Sequence, residues 1–323
     1  MINSVRNTVL SVLNKNNYGY ISPSDFNLYA QQAQMEIFEE YFSSYNKVVT
    51  AENARTSGTD YADIGKTISE VIESFLVSKS LVPTITPSGF PINSFSTPSE
   101  TTTGDYAFMI NKVLCYPVIL DSSVNTAIAA YRLIDASASF ITDGVRFGDV
   151  VVNATIFKTS SVVSVISETE LVLNNDIFTS LVQNYNVYSQ ESVSEAEKVS
   201  AGKITLLNSS LLTSPNATFP AYFLEGNSLK VYPSYINKYG MVNATYFRYP
   251  AVPKWTYINL NSGEPVFDQS QSDYQDFELP LEDEFKLAMK ILQYCGVSIR
   301  EAEVVQYGVS QEQHEQPTFS QQN

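Results

Sequence analysis

The spacing of apolar residues changes along this chain, and that change restricts it to a mixed fold. Up to about residue 76 the apolar side chains recur at helical intervals, whereas from Tyr106 onward they move towards alternation, the period of a strand. Val5, Val9, Val12 and Leu13 predict a first helix over residues 3–14, ended by Asn14-Lys15-Asn16-Asn17 and Gly19. Ser22-Pro23-Ser24-Asp25 then supplies an N-cap, a proline at the first helical position and an acid at the third. Phe26, Ala30, Ala33, Ile37 and Tyr41 form the stripe of a long second helix, widened by Tyr29, Phe38 and Phe42 and fading near Tyr45. A third helix follows Gly58, capped by Thr59 or Asp60, with Tyr61, Ile64, Ile68, Ile72, Phe75 and Leu76 on its face.

Four prolines, Pro83, Pro87, Pro91 and Pro98, interrupt residues 81–103, which read as an extended connection that orders against a neighbouring molecule. Residues 147–190 then carry short strands at Asp149-Val150-Val151-Val152, Val162 to Ile166, Leu171-Val172-Leu173 and Tyr185 to Tyr188, the pattern of a small barrel or sandwich. In the polar stretch 189–202, Glu195, Glu197 and Lys198 are placed in a helical turn. Ala221 to Leu224 and Ser228 to Tyr232 form a hairpin through Gly226-Asn227, and a strand from Val242 to Tyr249 ends at Pro250 and Pro253, with Trp255 covering a core edge. A helix begins after Pro280, with Glu282, Asp283 and Glu284 at its positive end, Leu281, Phe285, Ala288, Leu292 and Cys295 as its buried stripe and Gly296 as its C-cap. A second turn of helix over Ser298 to Tyr307 follows, and the Gln-rich tail 309–323 has no apolar face and is disordered on its own.

At 323 residues the chain is long enough for two domains, or one large domain with an insertion. Acidic residues outnumber basic ones 34 to 19, for a net charge of -15, which disfavours non-specific attraction to phosphate backbones and anionic lipid. Charged residues are only 16% of the chain and aromatic ones 12%, a composition suited to uncharged, aromatic-rich interfaces. No signal-peptide-like run opens the sequence and no stretch approaches a membrane span, so the expected site of synthesis and residence is the cytoplasm. The sequons at Asn153, Asn208, Asn216 and Asn243 are then read as polar strand and turn chemistry.

Catalytic templates find few residues to use. The single histidine, His314, lies in the tail, so no Ser-His-Asp or Cys-His site has its base. No glycine-rich phosphate loop is present. Cys115 and Cys295 are far apart and match neither a zinc nor a disulfide spacing, and both are expected to be buried. Glu39-Glu40 and Glu282-Asp283-Glu284 point to different helix faces and are read as solvated acids. Asp268, Asp273, Asp276 and Glu278 lack the loop glycine and ligand spacing of a calcium cage. The expectation is a non-enzyme with no catalytic, cofactor or metal residues.

Several segments resemble a known family. Phe140-Ile141-Thr142-Asp143-Gly144-Val145, Gly148 to Asn153, Ser167 to Leu173 and Asn175 to Phe178 are similar to a small β module recurrent in tailed-phage structural proteins. Tyr246-Phe247-Arg248-Tyr249-Pro250 with Pro253-Lys254-Trp255 resembles a strand exit in the same proteins. Phe277-Glu278-Leu279-Pro280, with Ile291-Leu292, Gly296 and Ile299-Arg300-Glu301, looks like their C-terminal helical ending. Together they resemble neck and tail ring proteins of short-tailed phages, most closely those of crAss-like phages. The resemblance implies a virion head-to-tail connector, assembled in the host cytoplasm, with twelvefold copies around the DNA channel and contacts to the portal and other ring proteins. It also implies passage of DNA without sequence-specific binding, and no membrane.

The expected architecture is α+β: an adaptor-like domain of N- and C-terminal helices with a β-hairpin, and an inserted small β-barrel or sandwich. Its boundaries are 1–105 for the helices and arm, 106–200 for the insertion, 201–308 for the hairpin and closing helices, and 309–323 for the tail. The alternative is a baseplate or fibre-associated protein that binds another virion component or a surface glycan. The absence of repeats or heptads argues against a fibre.

Overall fold

A computed structural model describes residues 1–15, 21–54, 62–89, 91–260 and 264–299. Helices α1 (Ile2–Lys15), α2 (Pro23–Ala54) and α3 (Ala62–Glu73) open the chain. Then come β1 (Leu76–Ser80), β2 (Pro83–Ile85), β3 (Pro91–Ser96), β4 (Ala107–Cys115), β5 (Ile119–Val124) and β6 (Arg132–Ile134). They are followed by β7 (Val150–Asn153), β8 (Lys158–Ser167), β9 (Glu170–Leu173), β10 (Asn184–Tyr188), β11 (Ser194–Glu195) and β12 (Glu197–Lys198). Next are α4 (Ala201–Asn208), β13 (Ala221–Glu225), β14 (Ser228–Tyr232) and β15 (Val242–Arg248), and the described chain ends with β16 (Tyr257–Asn259), β17 (Pro265–Phe267) and α5 (Glu284–Ile299). The fold is mixed α+β and divides into two compact units, Met1–Phe75 with Pro250 onward, and Leu76–Tyr249.

In the helical unit α2 starts where its cap dictates. Ser22 Oγ accepts the Asp25 N–H at 3.1 Å, the Ser22 hydroxyl reaches the Asp25 carboxylate at 2.6 Å, and Pro23 occupies the first turn. Ile2, Val5, Val9 and Leu13 of α1 and Phe26, Ala30, Ala33, Ile37 and Phe38 of α2 are buried, and α5 packs against both helices. α2 continues past Tyr45 to Ala54. The caps expected at Thr59 or Asp60, the second helical turn from Arg300 on, the tail and His314 lie outside the described residues.

Two expectations for α5 are corrected. Leu281 and Phe285 are exposed, and the buried stripe is Leu287, Ala288, Ile291, Leu292 and Cys295. A 3-10 turn over Leu281–Asp283 precedes the helix, and its three residues per turn do not continue the α-helical stripe. Gly296 does not end the helix, which runs on to Ile299. Gly296 is buried there, and packing overrides a propensity cost of about 1 kcal/mol.

The second unit holds three of the sheets. The four-stranded sheet β1-β15-β4-β11 and the five-stranded sheet β12-β13-β14-β3-β2 share one core, with Val113, Cys115, Val242 and Tyr246 from the first and Phe95, Leu229 and Val231 from the second. The remaining six strands run β5-β10-β7-β8-β9-β6. β8 pairs with β7 through Lys158 to Ser161 and with β9 from Val162 on, and its register shifts bend the sheet around Phe140, Leu171, Phe178 and Tyr185. Its two edges meet where Thr126 N–H donates to Ile134 O at 2.8 Å, so the sheet curls into a half-barrel.

The unit boundaries depart from those expected. Residues 81–103 are not an arm that needs a neighbour: β2 pairs with β3 and β3 with β14, while Phe95 is fully buried, and Leu76, expected on the face of α3, opens β1 opposite Phe247 of β15. Pro83 and Pro91 head their strands, a position where the missing N–H is tolerated. The hairpin β13–β14 and strand β15 belong to this unit and not to the helical one. Glu195, Glu197 and Lys198 lie in strands, because the chain crosses here from the sheet of β4 to that of β13, pivoting on buried Ala196.

Candidate interaction surface

The most exposed apolar group among the described residues follows a short helix that the sequence pattern did not announce. Ser200 caps α4, its Oγ accepting the Lys203 N–H at 3.3 Å. Ile204 turns inward onto Val199, Ala221 and Phe223 in a small core of its own. The opposite side and the loop that follows carry Leu206, Leu211, Leu212 and Phe219, which are 72, 100, 95 and 74% exposed. From Ile204 to Leu224 there is no charged residue.

This loop is held in shape by its own polar groups. Ser209 and Thr213 hydroxyls donate to Leu206 O and Leu207 O at 2.6 and 3.1 Å, and Ser214 N–H donates to Ser210 O at 3.0 Å. Asn216 Oδ1 accepts the Thr218 and Phe219 N–H groups at 2.9 and 3.0 Å. These polar groups are satisfied within the loop while the leucines face water. A loop ordered before binding loses less entropy when it docks, and apolar patches of this kind mark interaction sites. The signal available in the sequence was the uncharged run in an otherwise acidic chain.

Two further exposed apolar side chains stand on loops beyond opposite ends of the β7–β10 pair. Phe147 is 80% exposed and Val182 73%, and Val182 sits at φ 59°, a strained backbone for a β-branched residue. Asn125 O accepts the Val182 N–H and Asn125 Oδ1 the Gln183 N–H, which hold that turn.

The acids singled out in the sequence do not form one site. Asp268 caps Ser270 and Gln271, Asp273 pairs with Lys254, Asp276 accepts from the Met1 amino group and Ile2 N–H, and Glu278 accepts the Ala251 N–H. The Ser270 hydroxyl and the Lys254 ammonium hold Asp268 and Asp273, respectively, below the usual carboxylate range. Among the described residues no three His, Cys, Asp or Glu side chains converge, and no helix is long and apolar enough to cross a membrane.

Glu40 and Asp283 correct the reading of solvated helix acids. Glu40 bridges Lys286 at 2.7 Å and Lys290 at 2.7 Å, and Lys290 is only 2% exposed. Asp283 is buried and accepts the Tyr41 hydroxyl at 2.7 Å. Burial raises the Asp283 carboxyl above its ordinary value, with the Tyr41 hydrogen bond opposing. Cys115 and Cys295 are buried as expected, and burial pushes both thiols up to about 12, which keeps them protonated and inert. Asn153 does serve turn chemistry: its amide donates to Ile177 O and its Oδ1 accepts from Thr155 N–H.

No protein-family model matches the sequence, and no curated protein is similar to it.

Proposed function

We propose that this protein is a structural subunit of a tailed-phage virion, repeated in a ring of the neck or tail that joins the portal to the tail and surrounds the DNA channel. The observation that carries the reading is the ordered, uncharged loop with Leu211 and Leu212 in water, a surface that calls for a protein neighbour. The resemblance of residues 140–178 and 246–301 to short-tailed phage ring proteins supplies the kind of assembly. Net charge supports the reading: a chain of net charge -15 disfavours sticking to a phosphate backbone that passes it. The reading assigns no catalytic step, cofactor or metal to the chain, and its partners are further copies of itself, the portal and adjoining rings.

The test is mass photometry of the purified full chain, alone and mixed with the portal protein of the same virion, followed by negative-stain imaging. Rings of about a dozen copies are expected. A chain that stays monomeric in both conditions overturns the reading.

A further inference from the structure

Resting on the ring reading, we infer that the Leu211–Leu212 knob of one copy seats in a groove on α2 of the next copy. That groove is formed by Leu28, Gln31, Gln32 and Met35 of α2 with Tyr294 of α5, and has a volume of about 410 Å³. Its residues recur at i, i+3, i+4 and i+7 on a side of α2 distinct from Phe26, Ala30, Ala33 and Ile37, so this helix has one stripe buried in its own unit and a second one open. Leu28 is 52% exposed on it.

Three arguments select a second copy as the occupant. The first is area. Four side chains at roughly 150 Å² each expose on the order of 500 Å², more than half of the ~800 Å² that each partner contributes to a standard interface. The knob is therefore a principal contact, not an incidental one.

The second is charge. Glu36 and Glu39 border the groove, and Glu36 is already engaged by Lys290 and by the Tyr294 hydroxyl. An acidic surface approaching this edge meets like charge, whereas the run from Ile204 to Leu224 brings none. In a chain of net charge -15 this is a surface on which one copy can approach the groove of another without repulsion.

The third is symmetry. Knob and groove are different patches, so a copy can give its knob to one neighbour and take the knob of another in its groove, a head-to-tail contact. A head-to-tail contact repeated around an axis closes into a ring, while knob against knob would stop at a dimer. Met35 adds an adaptable wall for leucine side chains.

Cysteine cross-linking of the full chain tests this directly, because Cys115 and Cys295 are 0 and 1% exposed and do not compete. Leu28→Cys and Leu212→Cys single variants, mixed and mildly oxidised, should give a covalent dimer that neither variant gives alone. The doubly substituted chain should give a ladder of linked copies. Leu211→Asp/Leu212→Asp, at fully exposed positions, should raise the concentration for half-assembly about a hundredfold with an unchanged melting temperature.

If wild-type chains form rings and the mixture does not cross-link, the docking is wrong and the ring reading stands. Cross-linking of Leu212→Cys only with itself also overturns the docking. If the knob variant assembles normally but loses wild-type flotation on neutral phosphatidylcholine vesicles, the knob is a lipid contact and the inference falls. A wild-type chain that never assembles removes both readings.

Discussion

The guanidinium carbon of Arg6 lies 3.9 Å from the ring centroid of Trp255, and the ring of Phe26 is 6.0 Å away from it. Trp255 is thereby tied to both opening helices: its indole N–H donates to Asn3 Oδ1 at 3.0 Å, and Asn27 accepts its backbone N–H at 2.8 Å. It is the only tryptophan in the chain, so its fluorescence reports on the helical unit. Arg6→Lys replaces a flat, stackable cation by a point charge and should cost about 1 kcal/mol, seen as an earlier red shift of the emission in urea. Trp255→Ala should cost about 3–5 kcal/mol, followed by circular dichroism. An Arg6→Lys protein with an unmoved midpoint would remove the stack from the account of stability.

Lys290 is 2% exposed, while its partners Glu36 and Glu40 are 45 and 36% exposed. The asymmetry sets the order of the substitutions. Glu36→Gln/Glu40→Gln removes both of these carboxylates from a buried ammonium and should cost about 3–5 kcal/mol, whereas Lys290→Met leaves two carboxylates that water can reach and should cost about 1 kcal/mol. Urea midpoints of the two variants decide it, and equal losses would mean that burial of the lysine is not what the pair compensates.

Local chemistry was legible in the sequence, and non-local pairing was not. Ser22, Pro23 and Asp25 announced α2 because a cap is made by residues within one turn. Strands β7 to β10 and the Gly226-Asn227 hairpin were legible from alternation and turn residues, and Gly226 does adopt φ 57°. β2 and β3 were read as a connection because prolines dominate the segment and the partner of Phe95, Leu229, is remote in sequence, and Leu76 was read as helical because its partner Phe247 is remote as well. Lys290 was invisible because a lysine on a helix is ordinarily a surface residue. The knob was missed for a different reason. Pattern reading searches for faces that will be buried within the chain, and Leu211 and Leu212 are covered by none of the described residues.

Gly240 has φ +88°, and a Cβ there would stand 2.5 Å from Val152 Cγ2 and 2.9 Å from Tyr188 Cε2. Both neighbours are fully buried, so neither can swing away. Gly240→Ala therefore combines backbone strain with overpacking and should cost roughly 3 kcal/mol. Gly226→Ala, at φ +57° with nothing within 4 Å, carries only the strain and should cost roughly 1 kcal/mol. Urea denaturation followed by far-ultraviolet circular dichroism separates them. If both lose the same amount, the packing of Val152 and Tyr188 against Gly240 is looser than these distances require.

The pH dependence of stability has two opposed components. Hydrogen bonds and ion pairs hold Asp268, Asp273 and Glu168 below the usual carboxylate range. In Asp135 and Asp276 burial pushes upward but is outweighed by the donors around them, Ser137 for Asp135 and the Met1 amino group for Asp276. Such groups contribute stability that is present above an unfolded value near 4 and lost as pH falls through their lower folded values. Asp283 has the opposite sign. Its folded carboxyl keeps the proton to higher pH than the unfolded one, so its contribution is complete below about pH 4 and disappears as pH rises through the raised value. Above that raised value the ionised Asp283 is a buried charge that weakens the fold relative to its protonated form. Asp283→Asn retains an acceptor for the Tyr41 hydroxyl and removes that charge. The variant should melt higher than wild type at pH above that raised value and match it near pH 3, so its stability falls further on acidification. A variant that melts lower than wild type above the raised value would show that attraction to Lys286 outweighs the burial of the carboxylate.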